Sequence, residues 1–389
     1  MTTRNLENIT IHQFRGLKEL ELKDLGQINL LVGVNNSGKT SVLEALSIYC
    51  NPLDLRNWII TATAREGNPF TTSPTPILIS LRRLFDQEKH QIGTISISGD
   101  GEFAVKQIKV TYEEIEGMFS QKKSMRLNNL GKLAELIGAE YKFTNEEDVL
   151  QLRKGLNLKI ELNNNQSQLL DSKSSDFIET YQIWENDFLL SSDEIKNEYI
   201  LITSTITPTS HRSNIGQIKL LSEASFRNFK ADVLDLLNQM DSNISDIEIL
   251  AEPESTDFYA GIYIQHKRLG LVPLSSFGDG VRRLLHIALK LASVKGGILL
   301  IDELESTIHT EALQNSFQWL AKWSKEMNVQ IFATTHSLEA VDALLAVNES
   351  ASDLVLYRLE PKETQTKVVR HDWSRLKRLR EELGQEVRW

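Results

Sequence analysis

An α/β fold is predicted, with a mainly parallel core sheet flanked by helices, an N-terminal antiparallel β subdomain and an inserted region. Three observations predict it. The apolar run INLLV ends at Gly33 and leads into the helically spaced segment SGKTSVLEALSIYC. Two more short apolar runs, GGILLIDE and NVQIFATTHS, flank helical sequence, the rhythm of a parallel sheet covered on both faces. Upstream of INLLV, and again between residues 94 and 116, apolar and polar residues alternate with the period of antiparallel strands.

Taken in order, ITIHQF and LKELEL read as two antiparallel strands feeding the buried strand INLLV. Val42, Leu43, Leu46 and Ile48 fall on helical spacing, so a Gly-containing loop joins that strand to a helix. Alternating stretches over 77–116, notably TISISGDGEF and VKQIKVTYEEIE about the turn Gly99-Asp100-Gly101, read as a hairpin. Residues 117–197 are polar and less periodic, and no fold is assigned to this insertion; it separates a first lobe, 1–116, from a second, 198–389. In the second lobe NEYILITSTITP reads as a strand, SEASFRNFKADVLDLLNQM as a helix, DIEILAE and DFYAGIYIQHK as strands, and VRRLLHIALKLASVK as a helix. Beyond the two apolar runs come strands DLVLYRL and KVVRHDW and a last helix around SRLKRLREELG. No heptad run persists over several turns, so a long coiled-coil arm is not expected.

A chain of 389 residues with 41% hydrophobic and 25% charged residues can bury a core and reads as a soluble globular protein. MTTRNLENIT lacks the basic start and apolar run of a signal peptide, and no stretch approaches the roughly 18 apolar residues of a membrane span. A cytosolic protein without a membrane partner is therefore expected. Cys50 is the only cysteine, which excludes an internal disulfide and a multi-cysteine zinc site, and it reads as a buried small residue. The net charge of -10 argues against the whole surface binding nucleic acid. Local basic clusters remain at Lys122, Lys123 and Arg126, and at Arg375, Lys377, Arg378 and Arg380. The second also reads as a solvated helix face paired with Glu381 and Glu382.

GVNNSGKT, residues 33–40, fits the phosphate-loop template of Gly, four residues, Gly, Lys and Ser or Thr. Gly33 and Gly38 let backbone N–H groups turn inward around phosphate oxygens, and the dipole of the following helix favours that charge. Lys39 would reach the β and γ phosphates of ATP and the Thr40 hydroxyl would ligate Mg²⁺. Asn35, Asn36, Ser37 and Ser41 complete the nucleotide-binding stretch. GGILLIDE ends in Asp302 and Glu303 at the carboxyl edge of a buried strand, where open α/β sheets bind ligands. Asp302 suits the Mg²⁺ shell, and Glu303 suits orienting and deprotonating water; alone, the pair also reads as solvated acids ending a strand. In LSSFGDGVRR, residues 274–283, Ser276, Gly278 and Gly280 stand before a helix as a second phosphate-binding device or as a simple Gly turn. One nucleotide is not reached by both devices of one subunit, so the first alternative implies a head-to-tail homodimer or a higher oligomer.

This order of motifs resembles the ABC-type ATPases of the SMC, RecF and OLD group, a branch of P-loop NTPases within the AAA family. GVNNSGKT, with Asn35 two places after the first Gly, looks like the phosphate loop, and FRGL at 14–17 like the start typical of the group. LSSFGDGVRR is similar to the signature loop, GGILLIDE to the Walker B strand, ESTIH to a D-loop and IFATTHS to the switch strand. The resemblance spans roughly residues 1–60 and 200–350. It implies that His336 senses the γ-phosphate and supports the attacking water, whereas by itself a His at a strand end reads as a surface residue. It implies equally that Arg15 sits near the nucleotide, where the residue alone reads as a strand-surface arginine. The signature departs from the usual Leu-Ser-Gly-Gly, with Ser276 or Gly278 in the serine's place, and His309 stands where transporter ATPases carry the D-loop Asp.

About 240 residues separate Gly38 from Gly278, which argues against a compact transporter subunit. The 53 residues after His336 hold no acidic cluster of the Toprim nuclease that OLD proteins carry. The resemblance then implies an ATPase that regulates a separate effector, a Toprim-type nuclease or a toxin, in phage defence. A DNA-stimulated RecF-like repair ATPase and a nucleotide-gated scaffold with slow turnover stay open, as does DNA as a partner.

Overall fold

The computed structural model describes residues 4–65, 76–85, 93–120, 150–164, 177–185, 197–212, 214–251, 260–350, 353–362 and 365–389. Along the first part run β1 (Asn8–Phe14), β2 (Leu17–Leu22), β3 (Ile28–Val32), α1 (Lys39–Cys50), α2 (Leu55–Thr63) and α3 (Ile77–Arg82). There follow β4 (Thr94–Asp100), β5 (Gln107–Ser120), β6 (Leu150–Asn163), β7 (Phe177–Trp184), β8 (Thr203–Ile206), α4 (Asn214–Phe226), α5 (Lys230–Met240) and β9 (Ile244–Ala251). The remainder comprises β10 (Ala260–His266), β11 (Gly270–Pro273), α6 (Asp279–Ser293), β12 (Ile298–Ile301), α7 (Thr310–Glu326), β13 (Gln330–Thr334), α8 (Leu338–Val347), β14 (Leu354–Pro361), β15 (Thr366–Asp372) and α9 (Trp373–Lys377).

The strands form an antiparallel sheet, β2-β1-β4-β5-β6-β7, a small sheet, β11-β10-β9, and a core sheet, β15-β14-β3-β13-β12-β8. In the core sheet every neighbouring pair is parallel except β14 with the edge strand β15. The mainly parallel α/β architecture with an N-terminal antiparallel portion is thus the one predicted. The central strands of the core sheet are buried on both faces, and successive side chains point to opposite cores, as a period of two requires. Leu31, Leu300, Phe332 and Tyr357 face a core shared with α1 and the antiparallel sheet. Leu30, Val32, Leu299, Ile331 and Leu356 face a second core shared with α5 to α8. Helix α1, lodged between two sheets, is buried nearly all round.

Several expectations are corrected. Residues 77–82 are helical: Pro76 precedes the first turn and Leu78 and Leu81, three apart, are buried while Ile79 is exposed. The stretch 222–240 is two helices, because Asn228 takes a left-handed conformation, φ 58°, and the Phe229 N–H closes onto the Ala224 carbonyl at 2.9 Å. The strand expected over 197–208 is confined to β8, since the Leu201 N–H is drawn to the Cys50 carbonyl at the end of α1. The connection from β4 to β5 is longer than a three-residue turn, with β4 running through Asp100. The boundary at residue 116 falls inside β5, and within 117–197 the described strands β6 and β7 extend the antiparallel sheet. The last helix widens at Arg378–Glu382 into a π turn closed by the Leu383 N–H on the Arg378 carbonyl.

Cys50 is wholly buried, and burial pushes its thiol up to about 12, as suits a packing residue. In the second basic cluster Lys377 and Arg378 stand 3.8 and 3.9 Å from Glu381 and Glu382, and Arg380 forks onto Asp342. That supports the paired, solvated face. Lys122, Lys123 and Arg126 lie outside the described residues. Among the described residues no helix is long and apolar enough to cross a membrane.

Candidate nucleotide site

Three adjacent strands, β3, β13 and β12, run parallel and in step, Leu31 opposite Thr334 and Ala333 opposite Ile301. Their carboxyl ends therefore open at one level: the phosphate loop after β3, His336 after β13, and Asp302 and Glu303 after β12. Between them lies a cavity of ≈ 340 Å³ lined by the loop from Asn35 to Ser41 together with Arg65, Asp302, Glu303 and His336. The loop needs its glycines. Gly38 has φ 93°, and a Cβ there would lie 2.6 Å from Leu17 Cδ2; at Gly33 it would meet the Leu359 carbonyl oxygen at 2.7 Å.

Lys39 is buried and its ammonium donates to the carbonyls of Gly33 and Val34 at 2.9 and 3.0 Å. Desolvation lowers its pKa, opposed by the carboxylates of Asp302, Glu303 and Glu305. Thr40 Oγ1 donates to the Asp302 carboxylate at 3.1 to 3.2 Å, and Thr334 Oγ1 donates to Asp302 Oδ1 at 2.6 Å. The Glu303 amide donates to Thr334 Oγ1 at 2.8 Å, so this hydroxyl ties both acidic residues to the end of β13.

Glu303 sits at φ 51°, a conformation that costs a non-Gly residue on the order of 1 kcal/mol or more unless its surroundings hold it. They do: fully buried Arg283 on α6 donates to the Asp302 and Glu303 carbonyls at 2.9 and 3.0 Å and also to the Thr207 carbonyl. Burial pulls the Arg283 pKa down to about 10 against the attraction of Glu303, Asp302 and Glu305. The Glu303 side chain is left exposed toward the cavity, as is His336.

The donor set fits Mg²⁺. The Thr40 hydroxyl and the Asp302 carboxylate are hard oxygen donors already within 3.2 Å of each other. Among the described residues no group of three or more His, Cys, Asp or Glu side chains could hold a metal. The site therefore suits a cation that brings water and phosphate oxygens as its other ligands. Ser37 Oγ, buried in the loop, has no partner among the described residues and offers one further polar contact.

Not every expected residue reaches the cavity. Arg15 does not line it: its Nε donates to Glu44 Oε2 at 2.8 Å and its other nitrogens to the Thr61 and Arg83 carbonyls. Arg65, which drew no attention in the sequence, does line it, and donates to the same Glu44 and to Ser41 Oγ. No local pattern marks Arg65, which lies beyond a whole helix from the loop. Thr334 was likewise passed over, although it ends the apolar run NVQIFAT as Asp302 follows GGILLI. Ser276 and Gly278 are exposed at the start of α6 and line no part of this cavity, while Gly280 is packed so that a Cβ would lie 2.9 Å from the Thr307 carbonyl oxygen. His309 is exposed at the start of α7.

Comparison with known proteins agrees with this geometry. Residues 5–341 match the family described as AAA ATPase domain. A protein named ATP/GTP phosphatase from Helicobacter pylori is 22% identical over 355 residues, covering 87% of both chains. The DNA replication and repair protein RecF of Rickettsia prowazekii is 20% identical over 367 residues, 87% of this chain and 96% of that one. Among solved structures, the Smc head domain derived from Pyrococcus furiosus, bound to the C-terminal domain of ScpA, shares 11% identity at a TM-score of 0.47, covering 98% of this chain and 99% of that one. With a phosphate loop, a carboxylate strand end and a family match over most of its length, this chain belongs to the AAA ATPase domain family and is similar to RecF.

Proposed function

We propose that the chain hydrolyses ATP in this cavity, between the phosphate loop and the carboxyl ends of β12 and β13, and that a second copy completes the site. The loop amides at the start of α1 receive the phosphates, where the unpaired N–H groups and helix dipole favour anions. Lys39 exchanges its bonds to the Gly33 and Val34 carbonyls for bonds to phosphate oxygens. Thr40 and Asp302 would hold Mg²⁺, which supplies positive charge against that gathering on the phosphates. Glu303 takes a proton from water as the water oxygen bonds to the γ-phosphorus and the bond to the β-bridging oxygen breaks, releasing ADP. His336 donates to the γ-phosphate. The convergence of loop, Asp302, Glu303 and His336 on one cavity carries this reading.

Exposed Ser276 and Gly278, which line no part of their own cavity, support a head-to-tail dimer in which each covers the partner's nucleotide. Phosphate release by Glu303→Gln, with its mass determined with and without ATP and Mg²⁺, tests both parts. The expected result is a turnover loss of about 10²- to 10⁴-fold and a dimer that forms only with ATP. Normal hydrolysis by Glu303→Gln would refute its role as base.

Downstream of the ATP cycle, we propose control of a separate nuclease or toxin effector in phage defence, supported by the motif resemblance to the OLD group. A DNA-stimulated repair ATPase is the competing reading, supported by the RecF relatives that align over 96% of their length. Stimulation of turnover by DNA ends would decide for the latter, and co-purification with an effector protein for the former.

A further inference from the structure

We infer that Arg388 is a positioning residue for His336, holding the backbone of the switch segment from outside the nucleotide motifs. The inference rests on the role proposed above for His336. Residues 335–337 link β13 to α8 and belong to neither, so their peptide groups depend on other segments for partners. Glu305, just after β12, accepts through Oε1 from the amides of His336 and Ser337 at 3.0 and 3.2 Å. From the opposite direction Arg388 Nη1 donates to the His336 carbonyl at 2.6 Å. The two peptide planes flanking the His336 Cα are thereby both held, one by Glu305 and the other by Glu305, Arg388 and Thr335 Oγ1, which also accepts from the Ser337 amide at 3.0 Å. Fixing those planes fixes the direction in which the Cα–Cβ bond leaves the chain, while the imidazole itself stays exposed to the cavity.

Arg388 is built for this. Its Nε and Nη2 donate to the two oxygens of Glu386 at 2.8 Å each, a fork that orients the guanidinium and leaves Nη1 for His336. The Glu386 carboxylate is fixed in turn by the amides of Val387 and Arg388. Val387 between them is 1% exposed and packs into the second core, so the strap 384–389 is anchored under its own middle. At its start the Gln385 amide donates to the Leu379 carbonyl at 2.8 Å, and Arg380 joins the Gln385 carbonyl to Asp342 on α8. The strap lies beyond residue 341, where the family match ends.

Two measurements test the inference on the full chain. The first is hydrogen exchange of residues 335–338 without nucleotide. Arg388→Ala should speed it about tenfold, the loss of one charge-assisted hydrogen bond, while Arg378→Ala, a change at an exposed arginine, should not. Unchanged exchange in Arg388→Ala would overturn the clamp whatever the catalytic chemistry. The second is turnover: Arg388→Ala should lower kcat about tenfold with the ATP KM within about twofold, Arg388→Lys should recover part, and Arg388→Ala should add nothing in a His336→Ala background. A full further loss in that background, or a raised KM at unchanged kcat, would overturn the positioning role. If the unsubstituted chain turns over no ATP, or His336→Ala keeps the full rate, the hydrolytic reading fails and takes this role with it, whereas the exchange result still stands by itself.

Discussion

Lys39 shows how the loop keeps a buried charge satisfied: its ammonium is bonded to two loop carbonyls and faces three carboxylates, while desolvation favours its neutral form. Lys39→Ala should leave the loop folded and weaken ATP binding at least about tenfold, equivalent to about 1.4 kcal/mol, which titration calorimetry would read directly. Affinity equal to that of the unsubstituted chain would remove Lys39 from the site. At this scale the contiguous residues were legible, because Gly33, Gly38, Lys39 and Thr40 do their work within eight positions of chain. Arg65, Glu44, Thr334 and Arg283 were not. Each takes its place through a partner that folding brings from elsewhere, as when Thr334 meets Asp302 only because β13 lies beside β12.

Helix α6 carries its signature residues at one end and two buried polar side chains along its inner face, Arg283 and His286. His286 is 4% exposed, and neither ring nitrogen has a hydrogen-bond partner among the described residues. Burial, reinforced by Lys290, Arg283 and His211, holds its pKa down to about 3. An unfolded His titrates near 6.5, so between these values the unfolded chain binds the proton and the folded chain does not. Stability is therefore lost as the pH falls from about 6.5 toward 3, and His286→Leu should reduce that dependence by up to about one proton. Urea unfolding at pH 7, 6, 5 and 4 measures the slopes, and equal slopes for both chains would refute the assignment. Elements themselves were read well wherever a run was long and periodic, as in α6 or β3. They were misread at 77–82 and at 228, where a proline start and one left-handed residue decide the outcome and no hydrophobic period records it.

For the whole molecule the testable property is composite ownership of the site. If Gly278 of one copy serves the loop of another, an inactive Lys39→Ala chain and an inactive Gly278→Arg chain should restore each other on mixing. About one quarter of the unsubstituted turnover is expected, because half of randomly paired dimers are mixed and each mixed dimer holds one intact site. No recovery would mean that each copy works alone. The parallel core and its motif order were legible at this scale, since apolar runs and their spacing declare a sheet. How far the antiparallel sheet extends was not read, although LNLKIEL at 156–162 alternates with the strand period, because the polar residues that surround it, NNNQSQ among them, outweigh it. The order of the core strands has one more consequence. A single strand, β13, separates the strand that ends in the phosphate loop from the strand that ends in the two acids. Their separation is thus set at two inter-strand steps, about 9.5 Å, by backbone hydrogen bonding alone. The sheet acts as a ruler of constant length, not as a jaw. On the proposed function, a ruler cannot tell a triphosphate from a diphosphate by closing, so that distinction would fall to the short segments hung from its marks, residues 33–38 and 335–337.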